Sequence, residues 1–533
     1  MRKDQTYPLD TVTHGTSSFR AYRMPFQNLY ETLSKTADRF PEKVGILDAN
    51  RSITYFDLRR ETDALAAWLN QSLGIGEGSR VALMMVNSIE FAVSFYAVLR
   101  LGATIVSINT KLSGEEAGFI LRDSAATCLL TDGRWLEKLS AVLPNTAVSS
   151  ILTSEETNNR MSVPAAIREG AKLPLPPVPL NSDLPALIMY TSGTTGHPKG
   201  AVMTHFNLLQ GVYSYAILND MDDEESTVLA VPAFHITGLN CVLTLFIFLG
   251  GFMVMTPFFD AVDVLDKMTE YRVTHIHAVA TVFIMLESAM LPRHDLSALK
   301  TALCGGGFIS RETVQQFCRQ APNCKFHPVY GMTETSGAGS YFPEHCLDSA
   351  IENSCGIPAP NCEIQVVDRE GHALPPGMDG EICFKGSFII DGYLHGVGDE
   401  SIVDGWLHSG DIGCFNEDGY LFIKDRIKDM INRGGEKIYS LAVEDAIMTF
   451  GGIKQAVVFA VRDPLYGEVP GAVLVPEPGV MIDVDQLRSY LRNQLAHYKV
   501  PVYMEVRENL PVTANGKTKK YMLKKEFDAK YAK

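Results

Sequence analysis

The residues at 187–200 have the types and spacing that bind phosphate. An apolar run leads into a loop that contains three glycines, four hydroxyl side chains and one cation, namely Gly193, Gly196, Gly200, Thr191, Ser192, Thr194, Thr195 and Lys199. Glycines let backbone N–H groups approach phosphate oxygens, hydroxyls donate further hydrogen bonds, and lysine offsets charge. Pro198, and Gly200 directly after Lys199, exclude the spacing of P-loop NTPases. The segment predicts a polyphosphate-binding loop, with a polar surface turn as the alternative on composition alone.

Further motifs follow this loop in chain order. They are CGGG at 304–307, YGMTE at 330–334, SGD at 409–411, DRIKD at 425–429 and NGK at 515–517. Together with YTSGTTGHPKG at 190–200, they resemble the signatures of the adenylate-forming superfamily, which includes acyl- and aryl-CoA synthetases, adenylation domains of non-ribosomal peptide synthesis and luciferases. The resemblance covers nearly the whole chain.

The resemblance implies a two-step reaction. A substrate carboxylate attacks the α-phosphorus of ATP to give acyl-AMP and pyrophosphate, and in CoA ligases the thiol of CoA then displaces AMP. Because two anions must meet in the first step, the site has to neutralise charge and orient both partners. ATP, Mg²⁺ and CoA are therefore the expected cofactors, together with a small-molecule carboxylic acid.

Catalytic roles are assigned on the same resemblance. Magnesium prefers one or two carboxylates with phosphate oxygens and water, so we assign Glu334 to the metal. Thr333 is expected at the α-phosphate. Lys517 resembles the lysine that bridges the incoming carboxylate and the α-phosphate, although a lysine near Lys519 and Lys520 is, taken alone, a solvated charge. His235 is expected beside the substrate carboxylate, with a satisfied core histidine as the alternative.

The predicted ATP contacts span several motifs. Asp411 only accepts hydrogen bonds and suits the two ribose hydroxyls, and Arg426 is implied at the same sugar. Solvated surface charges are the alternative for both residues. The full predicted ATP set is Thr191, Ser192, Gly193, Thr194, Thr195, Gly196, Lys199, Gly306, Tyr330, Asp411 and Arg426, with the Tyr330 ring against adenine.

The second step is predicted to use another face of a small mobile domain. Lys428 stands where the family has its hinge residue, with a solvated linker charge as the alternative. Gly434 and Gly435 resemble the loop that lines the path of the CoA pantetheine, and glycines there allow close approach by a narrow chain. A plain hairpin turn is the competing interpretation of these two glycines.

The acyl pocket is expected at His235, Gly307 and Phe308. The family more often has Gly-Gly-Ala-Pro-Leu where this chain has GGGFI at 305–309. A glycine at 307 would deepen the pocket, whereas a phenylalanine at 308 would shorten it, so chain length stays undecided. The uncharged segment after His235 has no arginine for a second carboxylate. We predict an apolar monocarboxylate, either a medium-chain fatty acid or an aryl acid.

The elements that must position these residues alternate between strand-like and helical patterns. An apolar run at 80–85 precedes an amphipathic stretch at 89–101, and 103–108 is apolar again. This alternation predicts an α/β fold with parallel sheets. A proline-rich segment at 172–183 is predicted to be an extended connector between subdomains. No internal repeat of fixed period is evident in the sequence. Short strands with Gly/Asp turns from about 380 predict a small β-rich unit.

Helix-compatible and strand-like segments after residue 425 predict a compact α+β domain. We therefore expect a large N-terminal body of α/β subdomains and a small mobile C-terminal lid. The predicted bounds are 1–425 for the body, with subdomains at about 1–180, 181–380 and 381–425, and 426–533 for the lid.

Charge and composition limit the partners. The 533 residues have a net charge of −15, which argues against general nucleic-acid or anionic-membrane binding. Residues 426–533 hold 17 Lys and Arg against 13 Asp and Glu, so a mildly basic lid of +4 faces a body of −19. That asymmetry suits polyanionic ATP and CoA. The sequence leaves the oligomeric state open, a homodimer included.

Two further patterns bear on location. The uncharged run at 236–259 is the one membrane-span candidate by length, but Gly250, Gly251 and Pro257 divide it into a buried helix, a turn and a strand. No apolar signal region follows the basic N-terminus. Ten cysteines without a CxxC motif predict reduced, buried thiols. We expect a cytoplasmic protein without a transmembrane segment.

Three other functions compete with a CoA ligase. An adenylating enzyme could load a carrier protein, which would act in trans because the chain ends at residue 533. A silent nucleotide or acyl sensor is disfavoured, since Lys199, Glu334, Asp411, Arg426 and Lys517 are all present. Luciferase-like oxygenation is compatible with the motifs but needs an unusual substrate.

Overall fold

The computed structural model describes residues 8–14, 17–156, 160–191, 198–307, 309–512 and 518–531. These residues form two compact units, each built from two chain segments. The first unit runs to Ile364 and includes Phe384–His408, and the second comprises Gln365–Cys383 and the chain from Ser409 onward. The predicted domain bounds, 1–425 and 426–533, stay a prediction.

Helices occur in both units. In chain order they are α1 (Tyr30–Arg39), α2 (Tyr55–Leu73), α3 (Ile89–Arg100), α4 (Gly114–Ser124), α5 (Leu136–Leu139), α6 (Val163–Gly170), α7 (His205–Leu218), α8 (Ile236–Gly238), α9 (Leu245–Leu249), α10 (Ala261–Glu270), α11 (Ala280–Ser288), α12 (Arg311–Gln320), α13 (Ser440–Met448), α14 (Val484–Gln494) and α15 (Lys520–Tyr531).

Strands alternate with these helices in the first unit. They are β1 (Leu9–His14), β2 (Ser17–Tyr22), β3 (Val44–Leu47), β4 (Ser52–Thr54), β5 (Arg80–Met84), β6 (Thr104–Ser107), β7 (Cys128–Thr131), β8 (Ser150–Thr153), β9 (Pro185–Thr191), β10 (Lys199–Thr204), β11 (Ser226–Leu229), β12 (Phe252–Met255), β13 (His275–Val279), β14 (Thr301–Gly305), β15 (Lys325–Met332), β16 (Gly337–Tyr341) and β17 (Ile357–Pro358).

The later strands are shorter on average and separated by turns. They are β18 (Cys362–Val367), β19 (Gly380–Gly386), β20 (Gly392–Tyr393), β21 (Ile402–Val403), β22 (Trp406–Phe415), β23 (Leu421–Arg426), β24 (Ile431–Arg433), β25 (Glu436–Ile438), β26 (Ile453–Asp463), β27 (Gly467–Pro476) and β28 (Tyr503–Val506).

Two large sheets organise the first unit. The seven-stranded sheet has the order β20-β10-β9-β6-β5-β7-β8, and the nine-stranded sheet has the order β17-β16-β15-β14-β13-β11-β12-β3-β4. Pairing is parallel through the middle of both sheets, from β9 to β8 and from β15 to β3. Such sheets must be covered on both faces, and α3 is accordingly buried along its whole length. The predicted α/β class is confirmed.

The second unit contains a separate core. Strands β25, β24, β27 and β26 form a mostly antiparallel sheet, and β28 pairs in parallel with β27. Helices α13 and α14 pack on one cluster of apolar side chains, and α15 contributes Leu523 and Phe527 to another. The α+β architecture expected for the C-terminal domain is confirmed.

The uncharged run at 236–259 folds as a buried helix, a turn and a strand, as predicted. α8 and α9 flank a π-helical stretch, Leu239–Thr244, and Gly250 ends α9 with a φ of 82° before β12. The π-helical turn was not predicted from sequence. Its buried Asn240 donates to the carbonyls of Leu208 and Ser336 at 3.2 and 2.9 Å, contacts that involve other parts of the chain. Within the described part of the chain, no helix is long and apolar enough to cross a membrane.

All ten cysteines are unpaired, and eight of them are buried. Burial raises the pKa of the Cys128 and Cys241 thiols to about 12. The two partly buried cysteines behave alike, because burial raises the pKa of Cys318 to about 11 and that of Cys346 to about 12. The prediction of reduced, mostly buried thiols is confirmed for the fold described here.

Candidate active site

Glu334 is a buried carboxylate held by hydroxyl groups. It lies just after β15, in a single 3₁₀ turn, and its exposed fraction is 5%. Thr191, the last residue of β9, donates from Oγ1 to Glu334 Oε1 at 3.0 Å. The two motifs that contain these residues are thus brought together, although 143 positions separate them in the chain. Among the described residues, no lysine, arginine or histidine forms an ion pair with Glu334.

Tyr393 provides the second hydroxyl to the same carboxylate. Its O–H donates to Glu334 Oε1 at 3.1 Å, and burial together with the Glu334 charge raises the pKa of the phenol. The neutral phenol is therefore a stable donor across the physiological range. A buried carboxylate with only neutral donors is suited to a divalent cation, which would supply the missing positive charge.

Lys199 begins β10, directly opposite Thr191 in the antiparallel register. Its side chain is 12% exposed, and Nζ lies 2.9 Å from Glu400 Oε1, whose own side chain is 71% exposed. The Lys199 Nζ also lies 5.8 Å from the centroid of the Tyr393 ring. The two ends of the predicted phosphate loop are thereby fixed side by side on adjacent strands, with one cation at its exit.

The middle of the phosphate loop, Ser192, Gly193, Thr194, Thr195 and Gly196, lies outside the described residues. Phe308 and Lys517 do so as well. Their assigned roles at the phosphates, in the acyl pocket and in adenylation stay predictions.

The predicted adenine and acyl residues lie at strand ends of the first unit. Tyr330 is buried on β15, with its ring 5.4 Å from that of Phe384, and Thr333 begins the turn that contains Glu334. Gly306 has a φ of 72°, which favours glycine. A methyl group on Gly307 would meet Ala280 Cβ at 3.9 Å and no other described atom within 4 Å, so this glycine leaves open space among the described residues.

His235 precedes the buried run of α8 and α9. Its ring packs against the ring of Phe234 at 4.8 Å, and its backbone carbonyl accepts from Leu239 N at 2.8 Å. The histidine is thus fixed at the start of α8 and is half-buried, unlike the fully buried core histidines His275 and His277. This placement is compatible with its predicted role beside a substrate carboxylate.

The second unit pairs the two residues predicted to bind ribose. Asp411 on β22 and Arg426 on β23 are directly opposite in the antiparallel register, and Arg426 Nε lies 3.1 Å from Asp411 Oδ1. The Asp411 side chain is only 9% exposed, whereas that of Arg426 is 46% exposed. The pair combines a buried acceptor with a donor that reaches solvent, and its role at the ribose stays a prediction.

The predicted hinge and CoA residues lie on turns of the second unit. Lys428 is exposed in the turn between β23 and β24, where the amides of Asp429 and Met430 donate to the Arg426 carbonyl. Gly434 and Gly435 have φ values of 59° and 99° and connect β24 to β25. Both glycines thus lie in a hairpin turn, and the CoA path stays a prediction.

The chain after Lys517 is anchored within the second unit. Lys520 begins α15, and its Nζ lies 2.8 Å from both Ser440 Oγ and Glu444 Oε1. Ser440 Oγ in turn donates to the Asp425 carboxylate at 3.0 Å. Burial raises the pKa of Asp425 against the opposing effect of these donors. This buried network connects the end of β23 to α13 and α15.

Sequence reasoning missed Tyr393 and Glu400. Both belong to a glycine-rich segment at 391–401, DGYLHGVGDES, which has no periodic pattern. The sequence could have indicated them only through the presence of an aromatic and an acidic residue near glycines. Gly398 shows why glycine matters there, because its φ is 120° and an added Cβ would lie 2.8 Å from Lys199 Cδ.

Comparison with known protein families identifies the family to which the chain belongs. The AMP-binding enzyme family matches residues 33–394, and the AMP-binding enzyme C-terminal domain matches residues 442–517. The chain belongs to the AMP-binding enzyme family. The first match includes Thr191, Lys199, Glu334 and Tyr393, so every contact described around Glu334 lies within the matched region.

Several AMP-binding enzymes resemble this chain over nearly its full length. A feruloyl-CoA synthase from Amycolatopsis sp is 32% identical over 91% of this chain and 96% of its own. A fatty acid–[acyl-carrier-protein] ligase from Streptomyces coeruleorubidus is 30% identical over 95% of this chain and 98% of its own. The solved o-succinylbenzoate CoA synthetase of Bacillus subtilis, in complex with its acyl-adenylate intermediate, is 29% identical with a TM-score of 0.82, covering 93% of this chain and 98% of that one.

Proposed function

We propose that this AMP-binding enzyme is an AMP-forming acid–CoA ligase. It activates a carboxylic acid with ATP, releases pyrophosphate, and transfers the acyl group from acyl-AMP to CoA. The observation that carries the proposal is the buried Glu334 carboxylate, which has only neutral hydroxyl donors among the described residues and lies in the same unit as the half-buried cation Lys199. Such a site suits a metal-bound polyphosphate.

The first unit would bind and orient the triphosphate. Glu334 would hold Mg²⁺, which when bound supplies positive charge to the phosphate oxygens. Lys199 would add a cation at the exit of the phosphate loop, and Thr333 would donate a hydroxyl hydrogen bond, while the Thr191 hydroxyl holds the Glu334 carboxylate beside the phosphates. Tyr330 offers a flat buried ring for adenine, and Gly306 lets the backbone approach closely.

The second unit would complete each half-reaction. Asp411 and Arg426 would bind the ribose, and Lys517 would stabilise charge that develops as the carboxylate attacks the α-phosphorus. In the second step, a rotation at Lys428 would bring Gly434 and Gly435 to the pantetheine chain. The mildly basic lid of +4 favours both polyanionic ligands.

The proposed substrate is an apolar monocarboxylate, either an aryl acid or a medium-chain fatty acid. The open space beside Gly307 and the uncharged buried segment α8 to α9 support an apolar acyl group. Two of the three named relatives carry the name of an aryl acyl group and of a fatty acid, the two classes proposed here, and the third is named for o-succinylbenzoate. A cytoplasmic location belongs to the same proposal.

The test is pyrophosphate release from purified protein across a panel of acids, with and without CoA. The panel contains cinnamic and benzoic acids, saturated fatty acids of graded length, and a dicarboxylate. We expect one apolar class to give CoA-dependent turnover and a thioester product. Absence of turnover with every acid would contradict the proposal and favour a ligand sensor.

A carrier-protein ligase is the second candidate, because one relative carries that name. It would accumulate acyl-AMP without using free CoA, and it would acylate a phosphopantetheinylated carrier protein supplied in trans. The same panel separates the candidates when both acceptors are offered in parallel.

Lys517 can be tested through the separate half-reactions. We expect Lys517→Ala to lose most acyl-adenylate formation and to retain thioester formation from supplied acyl-AMP, because the lysine is needed only for attack on the α-phosphorus. Lys519→Ala is the matched control and should leave both steps intact. Equal loss of the two half-reactions in Lys517→Ala would refute the assignment.

A further inference from the structure

Tyr393 connects the two charged groups of the candidate phosphate site. Its hydroxyl donates to Glu334 Oε1 at 3.1 Å, and its ring centroid lies 5.8 Å from Lys199 Nζ. Thr191 also contacts Glu334 and Glu400 also contacts Lys199, but among the described side chains only Tyr393 contacts both groups. Tyr393 therefore links the position of the Glu334 carboxylate to that of the Lys199 ammonium group.

The backbone fixes the position of the Tyr393 ring. Strand β20 pairs with β10, with Tyr393 opposite Ala201 and Gly392 opposite Val202. The Tyr393 amide donates to Asp399 Oδ1 at 2.7 Å, which closes the loop that follows. Because β10 begins at Lys199, the ring is fixed relative to the strand that carries the cation.

The two hydroxyls on Glu334 converge on one oxygen. Thr191 Oγ1 and Tyr393 Oη both donate to Oε1, at 3.0 and 3.1 Å, and no described residue donates to Oε2. Two donors on one oxygen fix the rotation of the carboxylate, and they leave the other oxygen for a different ligand. Hydrogen bonds to a charged acceptor are the stronger kind, so this restraint is substantial.

We propose that Tyr393 is a positioning residue that orients Glu334 to bind the metal through Oε2 alone. This inference rests on the proposed function, in which Glu334 is the Mg²⁺ ligand. Mg²⁺ demands near-ideal octahedral geometry and keeps several waters, so a single fixed carboxylate oxygen suits it better than a freely rotating group.

The prediction concerns metal dependence. Tyr393→Phe removes one oxygen atom and keeps the ring over Lys199. We expect the Mg²⁺ concentration for half-maximal pyrophosphate release to rise about tenfold, the lower end of the effect of one hydrogen bond to a charged group, while the KM for the acid stays within about twofold.

Tyr30→Phe is the matched control. Tyr30 is also buried in the first unit, and its hydroxyl donates to a carboxylate, Asp63 Oδ1, at 2.6 Å. This variant loses the same kind of hydrogen bond away from Glu334, so it should leave the Mg²⁺ dependence unchanged. The comparison separates a metal effect from a general loss of stability.

A direct binding measurement supplies a readout other than turnover. Mn²⁺ is titrated into protein with the non-hydrolysable analogue α,β-methylene-ATP and followed by electron paramagnetic resonance. We expect weaker Mn²⁺ binding in Tyr393→Phe than in wild type or Tyr30→Phe. If Tyr393→Phe does not fold, Thr191→Val removes the other hydroxyl on Oε1 and is expected to weaken Mn²⁺ binding in the same way.

The outcomes distinguish the two proposals. An active wild type with an unchanged Mg²⁺ and Mn²⁺ dependence in Tyr393→Phe would overturn the positioning role and leave the ligase proposal intact. A wild type that turns over no acid would overturn the ligase proposal, whereas weaker Mn²⁺ binding in Tyr393→Phe would still support the positioning role.

Discussion

Two carboxylates, one in each unit, are bound in opposite ways. Glu505 on β28 is 18% exposed and accepts hydrogen bonds from Arg507 at 2.7 Å, Lys530 at 2.8 Å and Tyr531 at 2.9 Å. Glu334 is buried, with 5% of the whole residue exposed, whereas Glu505 is only half-buried. Glu334 has only two neutral hydroxyl donors among the described residues. Within the described part of the chain, the more exposed carboxylate is paired with cations and the more buried one is not.

The difference between the partners of Glu334 and Glu505 distinguishes a functional carboxylate from a structural one. Burying an ionised group without a counter-charge is unfavourable, so a fold built for stability alone would pair it or replace it. Glu505 follows that rule and Glu334 does not. A buried acid with neutral donors is therefore a candidate for an exogenous cation.

The largest expected effect separates the two glutamates by activity. Glu334→Gln keeps the size of the side chain and removes its charge, so we expect acid-dependent pyrophosphate release to fall about 100-fold or more. The free energy of unfolding should not decrease, because a buried uncompensated charge is removed. A Glu334→Gln variant with wild-type activity would contradict the functional role assigned to Glu334.

Glu505→Gln is expected to have the opposite profile. Although burial raises the pKa of Glu505, hydrogen bonds from Lys530, Arg507 and Tyr531 together lower it to about 2. We expect the free energy of local opening of β28 and α15 to fall by about 2 kcal/mol at pH 7, with unchanged activity. Hydrogen exchange of peptides from these elements measures it, and Glu508→Gln, at an exposed residue, should show no change.

The difference in the free energy of local opening between wild type and Glu505→Gln is expected to depend on pH. Because the pKa of Glu505 is about 2 in the folded state and ordinarily 4.5, its contribution is fully present above pH 4.5 and is lost as the pH falls towards 2. We expect the gap between wild type and Glu505→Gln to be constant from pH 7 to pH 5 and to narrow below pH 4.5. A gap that widens on acidification would show that the cation pairs do not stabilise this region.

The smallest expected effect concerns the partner of Lys199. Glu400 is largely exposed, and exposed ion pairs are weak, so an incoming phosphate can displace it readily. We expect Glu400→Gln to lower the KM for ATP about twofold, because a phosphate of ATP no longer has to displace the Glu400 carboxylate from Lys199. Glu156→Gln is the control, since it removes an exposed glutamate paired with Arg168 in the same unit.

Sequence motifs predicted most of this arrangement because they lie at strand ends. The apolar runs at 80–85 and 103–108 became neighbouring parallel strands β5 and β6, and the motif residues Thr191 and Glu334 meet where β9 and β15 end. Asp411 and Arg426 were predicted at one sugar and lie opposite each other in a hairpin. Their ligands stay predictions, because contacts within a fold do not identify what it binds.

The rest depended on tertiary contacts without a local pattern. Tyr393 reaches Glu334 through β20, a strand of two residues, which is too short for any periodic signal. The π-helical turn at Leu239–Thr244 accompanies hydrogen bonds from its Asn240 to α7 and to Ser336, and the residues of the turn do not indicate which distant carbonyls accept them. Glu400 was missed because an exposed acid in a glycine-rich segment resembles any solvated charge.

The ten unpaired thiols have a practical consequence for spectroscopy. Maleimides react with the thiolate, and burial holds the pKa of the partly buried Cys318 at about 11 and that of Cys346 at about 12, well above neutral pH. A cysteine introduced on the surface, for example at Lys428 or Glu156, would therefore take up a fluorophore ahead of the native thiols. Dyes can therefore be attached at chosen surface positions of either unit without first replacing the native cysteines.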